Sequence, residues 1–144
     1  MLKHFDHVTF VVRDPEAAVA FFALLGFEVG KSVVISGEVM GRYMGVDGIE
    51  AEHRTLVLTD ATPRCEIQLL TYRRPAAIAN PDLASHRQQG FNHLCFSVDD
   101  LDAEVRRLQA RGVRLANQVM DFHDRKLVFL AGPENILVEL AEWC

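Results

Sequence analysis

FDHVTFVVRDPEAAVAFFALLGFEV, from Phe5 to Val29, and FNHLCFSVDDLDAEVRRLQARGVRL, from Phe91 to Leu115, align without a gap at an offset of 86 residues. Eight paired positions are identical: Phe5/Phe91, His7/His93, Phe10/Phe96, Val12/Val98, Asp14/Asp100, Ala17/Ala103, Val19/Val105 and Gly26/Gly112. Self-similarity over this length means one supersecondary unit used twice, which fixes the architecture before any element is assigned.

Each copy opens with a run rich in β-branched and aromatic residues, which predicts a strand. Asp14 and Asp100 then stand where a helix N-cap belongs, with Glu16 and Asp102 at the positive end of the helix dipole and Pro15 at the first helical position. Apolar residues follow at helical spacing, Val19, Phe22 and Leu25 in one copy and Leu101, Val105 and Leu108 in the other. Gly26 and Gly112 end the helices, and Phe27-Glu28-Val29 and Val113-Arg114-Leu115 are expected to start new strands. Further strands are expected over 55–59 and 65–72, then over 127–130 and 136–141. Each half therefore reads β-α-β-β-β, an α+β fold of two repeated modules: module 1 over about 1–75, a linker over about 76–88 and module 2 over about 89–144 of one domain. Between Gly30 and Arg54 the first module holds extra sequence with glycines at 37, 41, 45 and 48 and a short helix expected around Glu38 to Met44. Such an insertion is expected to be mobile and to cover or shape a site.

Bulk properties exclude several classes. At 144 residues the chain is long enough for one core, and 49% hydrophobic with 24% charged residues is ordinary globular composition. Twenty acidic against fifteen basic residues, net −5, oppose binding to a phosphate backbone, so no nucleic-acid partner is expected. The opening MLKHFDHVTFVV lacks the features of a signal peptide, and the longest apolar stretch, Ala17 to Phe27, is too short to span a bilayer, so a cytoplasmic protein with no membrane contact is expected. Cys65, Cys95 and Cys144 show neither CxxC nor zinc-finger spacing and read as reduced thiols, two in strands and one at the tail.

Strand parity points to a site. Side chains alternate faces along a strand, so His7, Thr9 and Val11 share one face and Val8, Phe10 and Val12 the other; His93, Cys95 and Ser97 repeat this against Leu94, Phe96 and Val98. The uniformly apolar face should pack on the helix and leave each histidine on the opposite, concave face. Gln68 and Glu139 occupy the equivalent face of the last strand in each half. A lone strand histidine is more often a hydrogen-bonded structural residue, but the repetition in register, with a polar partner in each half, reverses that. His7, Gln68, His93 and Glu139 form a mixed N/O donor set between the two modules, suited to Zn, Ni, Co, Mn or Fe rather than a thiolate site. His4, His53, His86 and His123 have no repeat-related partner and read as surface residues, with His123 a rim candidate.

With these residues in hand, the chain resembles the vicinal-oxygen-chelate superfamily, which includes glyoxalase I, methylmalonyl-CoA epimerase, extradiol dioxygenases and bleomycin or fosfomycin resistance proteins. The resemblance rests on DHVTFVVRDPEAAVAFFALLGFEV, EIQLLTYRRP, GFNHLCFSVDDLDA and GPENILVELAEW and covers nearly the whole chain. It implies paired βαβββ modules forming a curved, partly closed mixed sheet around a metal held by His7, Gln68, His93 and Glu139, with two coordination positions left for substrate oxygens. It also implies a small-molecule substrate and a homodimer. The strand at 65–70 departs from the family pattern, which places Glu where this chain has Gln68. Glu66 lies on the same face as a substitute. The turn before the last strand reads Gly132-Pro133-Glu134-Asn135-Ile136 in place of Asp-Pro-Asp-Gly-Asn, and Asn135 can take the left-handed conformation of the missing glycine.

A metal gripping two substrate oxygens stabilises the enolate left when a proton departs beside a carbonyl, which suits lyase and isomerase reactions. Glu139 resembles the family's ligand-base, and Glu66 is a second catalytic candidate. An extradiol-type Fe(II) dioxygenase using His7, His93 and Glu139 is the alternative, and a non-catalytic resistance protein that sequesters a small molecule is a third reading. Arg73 and Arg74 follow the ligand strand and are candidates to hold a substrate carboxylate or phosphate.

Overall fold

Asp14 ends the first strand and starts the first helix because its carboxylate accepts the free backbone N–H of Ala17 at 3.0 Å; Asp100 does the same for Ala103 at 2.8 Å. In a computed structural model of the chain, which describes residues 1–143, these caps open helices α1 (Pro15–Leu24) and α3 (Leu101–Ala110). The two copies solve one problem differently. Pro15 has no N–H to satisfy, whereas Leu101 at the matching position does, and the Glu142 carboxylate from the last strand accepts it at 2.7 Å. Both helices close on a glycine with positive φ, Gly26 at 92° and Gly112 at 87°, where a Cβ would be strained.

The structure falls into two compact units, Met1–Ala79 and the described chain from Asn80 onward. In the first, β1 (His7–Val11), β2 (Phe27–Ser36), β3 (Glu50–Leu58) and β4 (Glu66–Arg74) form an open sheet in the order β1-β4-β3-β2. β1 runs parallel to β4 and the other pairs are antiparallel. In the second, β5 (Leu94–Ser97), β6 (Met120–Phe122), β7 (Arg125–Ala131) and β8 (Leu137–Trp143) repeat the plan as β5-β8-β7-β6, with β5 parallel to β8. Neither sheet closes into a barrel. The βαβββ pattern expected from the repeat is present in both units. The tail thiol, Cys144, lies outside the described residues; Cys65 immediately precedes β4, Cys95 is in β5, and both are free.

The helix-packed face of each sheet is the apolar one. Phe10, Val12, Ala18, Phe22, Phe27, Leu56, Ile67 and Leu69 are buried in the first unit, where the Phe22 ring meets Phe10 at 6.3 Å and Phe27 at 5.8 Å. Leu101, Leu108, Val128, Leu130, Val138 and Leu140 are buried in the second. Each fully buried side chain of this size contributes roughly 1.5–3 kcal/mol of transfer free energy. This burial holds the two repeat-related helices down and leaves the histidines on the opposite face of each sheet.

Two expectations need correction. The segment between Gly30 and Arg54 is not a loop: β2 runs on to Ser36 and β3 begins at Glu50, paired residue for residue from Lys31↔Thr55 to Ser36↔Glu50 after a bulge at Gly30. Helix α2 (Glu38–Met44) caps this long hairpin, and Met40 and Met44 pack on Ile49, Ala51 and Leu70. The glycines that suggested mobility sit at its caps, Gly37 and Gly45, both with positive φ. The strand expected over Val113–Leu115 is reduced to one bridge, Leu115↔Leu130. Pairing with β7 starts there, Ala116 N–H donating to the Phe129 carbonyl at 2.8 Å, but the Asn117 side chain then accepts the Phe129 N–H at 2.7 Å and stands in for the backbone. The ladder resumes only at β6.

Candidate metal centre

The parallel pairing of β1 with β4 sets His7 opposite Glu66 and Thr9 opposite Gln68, so all four side chains leave the same face of the first sheet. In the second, Cys95 stands opposite Glu139, and His93 lies one residue before β5 with the same parity. The structure brings His93 and Glu139 together, Nε2 to Oε2 at 3.3 Å, with the Glu139 side chain 14% exposed. His7 and Gln68 line one cavity of the first unit. Among the described residues, no three His, Cys, Asp or Glu side chains form a group that could hold a metal ion. The expected ligands therefore stand as two pairs, one in each unit.

Each histidine is oriented by the residue before it. His7 Nδ1 lies 2.6 Å from Asp6 Oδ1, and His93 Nδ1 lies 2.8 Å from Asn92 Oδ1. A carboxylate only accepts, so His7 donates from Nδ1; Asn92 donates its own amide to the His86 carbonyl at 3.0 Å, which turns its oxygen to His93 and makes that ring a donor too. With Nδ1 engaged in this way, Nε2 is the nitrogen left to coordinate a cation in each ring, and that of His93 faces Glu139 Oε2 at 3.3 Å. The His7 hydrogen bond in turn holds the Asp6 carboxyl below the usual carboxylate range. The Phe129 ring supports His93 edge-on at 5.0 Å and contacts His86 at 4.6 Å. Imidazole, carboxylate and amide oxygen are donor types that a borderline divalent cation accepts.

Gln68 sits in a denser network. Its Nε2 donates to Glu66 Oε1 at 2.8 Å, and its Oε1 accepts from Thr9 Oγ1 at 3.2 Å and faces His53 Nε2 at 2.9 Å. Glu66 also takes Arg64 on its other oxygen at 3.0 Å, so both of its oxygens are engaged. His53 is thus not the surface residue expected: it is half-buried in the cavity wall. Its parity on β3 with Thr55, the register partner of Gln68, was the signal that could have found it. Asp6 and Asn92 were likewise missed, although they occupy equivalent positions of the repeat. Arg73 and Arg74 both pair with Glu50, at 3.4 and 2.6 Å. Burial of its sulfur first, and the Glu139 carboxylate second, push the Cys95 thiol up to about 12, although the residue as a whole is exposed.

Twinned βαβββ units, each with a histidine in register on the face opposite its repeat helix, define a fold class, and comparison with known proteins names it. The family model described as Glyoxalase/Bleomycin resistance protein/Dioxygenase superfamily matches residues 6–129, and the chain belongs to that superfamily. It is 24% identical over 139 residues to a lactoylglutathione lyase of Schizosaccharomyces pombe, covering 96% of this chain and 44% of that protein. It is 25% identical over 144 residues to the uncharacterized protein YaeR of Escherichia coli, covering 98% and 97%. The chain spans less than half the length of the fission-yeast relative. Among solved structures, a glyoxalase family protein from Bacillus cereus is similar at a TM-score of 0.87 and 29% identity, covering 99% of this chain and 95% of that one. A fosfomycin resistance protein from Listeria monocytogenes, complexed with Mn(II) and sulfate, shares the fold at a TM-score of 0.63 and 16% identity, covering 100% and 95%. Among the described residues, no helix is long and apolar enough to cross a membrane.

Proposed function

We propose that this chain binds a divalent cation of the Zn, Ni, Co, Mn or Fe group through His7, Gln68, His93 and Glu139 and carries out lyase or isomerase chemistry on a small oxygen-rich molecule. The observation that carries this reading is the repeated orienting contact, Asp6 to His7 and Asn92 to His93, which engages Nδ1 in both copies and leaves Nε2 as the coordinating nitrogen. An acceptor on the far ring nitrogen is the support that metal-ligating histidines carry, and here it recurs in both copies. A bound cation would supply Lewis acidity for negative charge growing on a carbonyl oxygen. Glu139 is the base: its carboxylate, mostly buried and 3.3 Å from His93 Nε2, takes the proton from the neighbouring carbon. Glu66, with both oxygens engaged, acts as the orienting partner of Gln68.

A second reading has its own support. The Gln68 oxygen already faces Thr9 and His53, and without it His7, His93 and Glu139 remain, the two-histidine, one-carboxylate set of Fe(II) dioxygenases. Anaerobic purification with metal analysis, then proton exchange into 2-oxo or thioester substrates in heavy water, tests the first reading. Oxygen uptake with a catechol in place of exchange would transfer the assignment to the second. A chain that retains no metal and ignores chelator would sink both.

A further inference from the structure

The face of the first sheet opposite α1 is graded from polar to apolar. Strand register places Lys31, Thr55, Gln68 and Thr9 side by side in one row across β2, β3, β4 and β1. The next row reads Val33, His53, Leu70 and Val11, and the one beyond it holds Ile35 and Ala51, over which α2 sets Met40 and Met44. These rows line a cavity of about 420 Å³, within the roughly 300–1,000 Å³ range of small-molecule sites. Its lining contains one lysine, Lys31, no arginine and no carboxylate.

Lys31 differs from the arginines of this unit in being unengaged. Arg54 is held by Glu16 and Glu52, Arg64 by Glu66, and Arg73 and Arg74 by Glu50, while Lys31 has no ion-pair partner among the described residues. Lys31 also borders a more open cavity of about 560 Å³, but Glu28 and Asp60 line that one and repel an anion there. Lys31 and Gln68 are two strand spacings apart, roughly 10 Å between backbones, a span the lysine stem can shorten.

We infer that this cavity selects organic monocarboxylates: an apolar body lies along Val33, Ile35, Met40 and Met44, and its carboxylate is held by Lys31. The inference rests on the proposed small-molecule site and deepens it by naming the substrate class. An ammonium-bearing ligand finds no carboxylate in the lining to receive it, and a neutral one gains no charge-assisted hydrogen bond from Lys31.

Hydrocinnamate, its uncharged amide and the zwitterion phenylalanine share one apolar body and differ in charge alone. Titrating each into the full chain, metal-free and metal-loaded, and following amide shifts by NMR should give about tenfold tighter binding of hydrocinnamate than of the other two, the worth of one charge-assisted hydrogen bond. Lys31→Met should erase that preference, Lys31→Arg should keep it, and metal content should be equal in all three proteins. Equal binding of acid and amide by the natural chain, or a preference that survives Lys31→Met, overturns the inference. Because the preference is also read without metal, failure of metal loading counts against the proposed function alone.

Discussion

His53 Nε2 stands 2.9 Å from the amide oxygen of Gln68, and that contact decides what Gln68 can do. The Gln68 amide nitrogen is turned to Glu66 at 2.8 Å, since the reverse orientation would set its oxygen against a carboxylate. The oxygen therefore faces His53 and Thr9, and coordination of a cation must displace at least one of them. His53→Ala should leave metal content intact and change affinity less than fivefold if Gln68 is a ligand, because a competing hydrogen bond is removed. Gln68→Ala should then weaken affinity by about 10–100-fold, the range seen when a metal site loses support. Isothermal titration with Mn(II) or Zn(II) reads both; unchanged affinity in Gln68→Ala would leave three ligands and favour the dioxygenase reading.

Asp6 and Asn92 occupy the same place in the two copies but differ in charge, so their loss should not be equivalent. Asp6→Ala and Asn92→Ala should each weaken divalent-metal binding by about 10–100-fold, since the imidazole is freed to rotate and to change tautomer. Asp6→Asn should retain most of the affinity, because an amide oxygen still accepts from Nδ1, as Asn92 does for His93. Metal titration followed by thermal unfolding separates this from misfolding: the metal-free proteins should all melt together. A metal affinity unmoved in both alanine variants would show that the contacts are incidental.

How far the sequence discloses such a site depends on whether a residue's role is written in a period or in a partner. His7 and His93 were legible because the repeat sets them in register and strand parity gives their face. The short helix at Glu38–Met44 was legible through its bounding glycines. His53 was only partly legible: parity with Thr55 gives its face once β3 is extended to Glu50, but its contact with Gln68 on the neighbouring β4 depends on a register that cannot be read until the hairpin length is known. The truncated strand after Gly112 was missed for a similar reason. Val113-Arg114-Leu115 has the apolar alternation of a strand, yet a side chain two residues later takes over the ladder. The expected substrate role of Arg73 and Arg74 overlooked Glu50, the register partner of Arg74, which lies beyond the point where β3 was expected to begin.

That side chain, Asn117, carries a prediction about stability. Its Oδ1 accepts the Phe129 N–H at 2.7 Å where the strand would otherwise supply a backbone carbonyl, and Phe129 in turn supports the His93 ring. Asn117→Ala should cost about 0.5–1.5 kcal/mol, the net worth of one hydrogen bond at a site open to solvent. Urea unfolding should show the loss as a lower midpoint at unchanged slope. Asn117→Asp, which keeps an acceptor, should recover most of it. Full stability in Asn117→Ala would mean that water replaces the side chain.

The last prediction concerns acid. On the opposite face of β3 from His53, Glu52 accepts from Arg54 at 2.6 Å and from Ser32 at 3.0 Å, and Arg54 reaches Glu16 in the first turn of α1 at 2.7 Å. Hydrogen bonds from Arg54 and then Ser32 lower the Glu52 carboxyl below its ordinary value of 4.5, and the pairing raises the Arg54 guanidinium correspondingly. A carboxyl depressed in the folded state stabilises the fold above its unfolded value and loses that contribution as pH falls through the folded one. Stability should therefore be flat on this account above about pH 5 and decline below pH 4.5 as Glu52 is protonated. Glu52→Gln should lower stability by about 1 kcal/mol or less near neutral pH, since solvent screens a partly open pair, and the deficit should vanish on acidification. Arg54→Ala should do the same and also release Glu16, so its neutral-pH deficit should exceed that of Glu52→Gln. Parallel pH–stability curves for the natural chain and Glu52→Gln, with no convergence in acid, would show that the cluster is not the source of the slope.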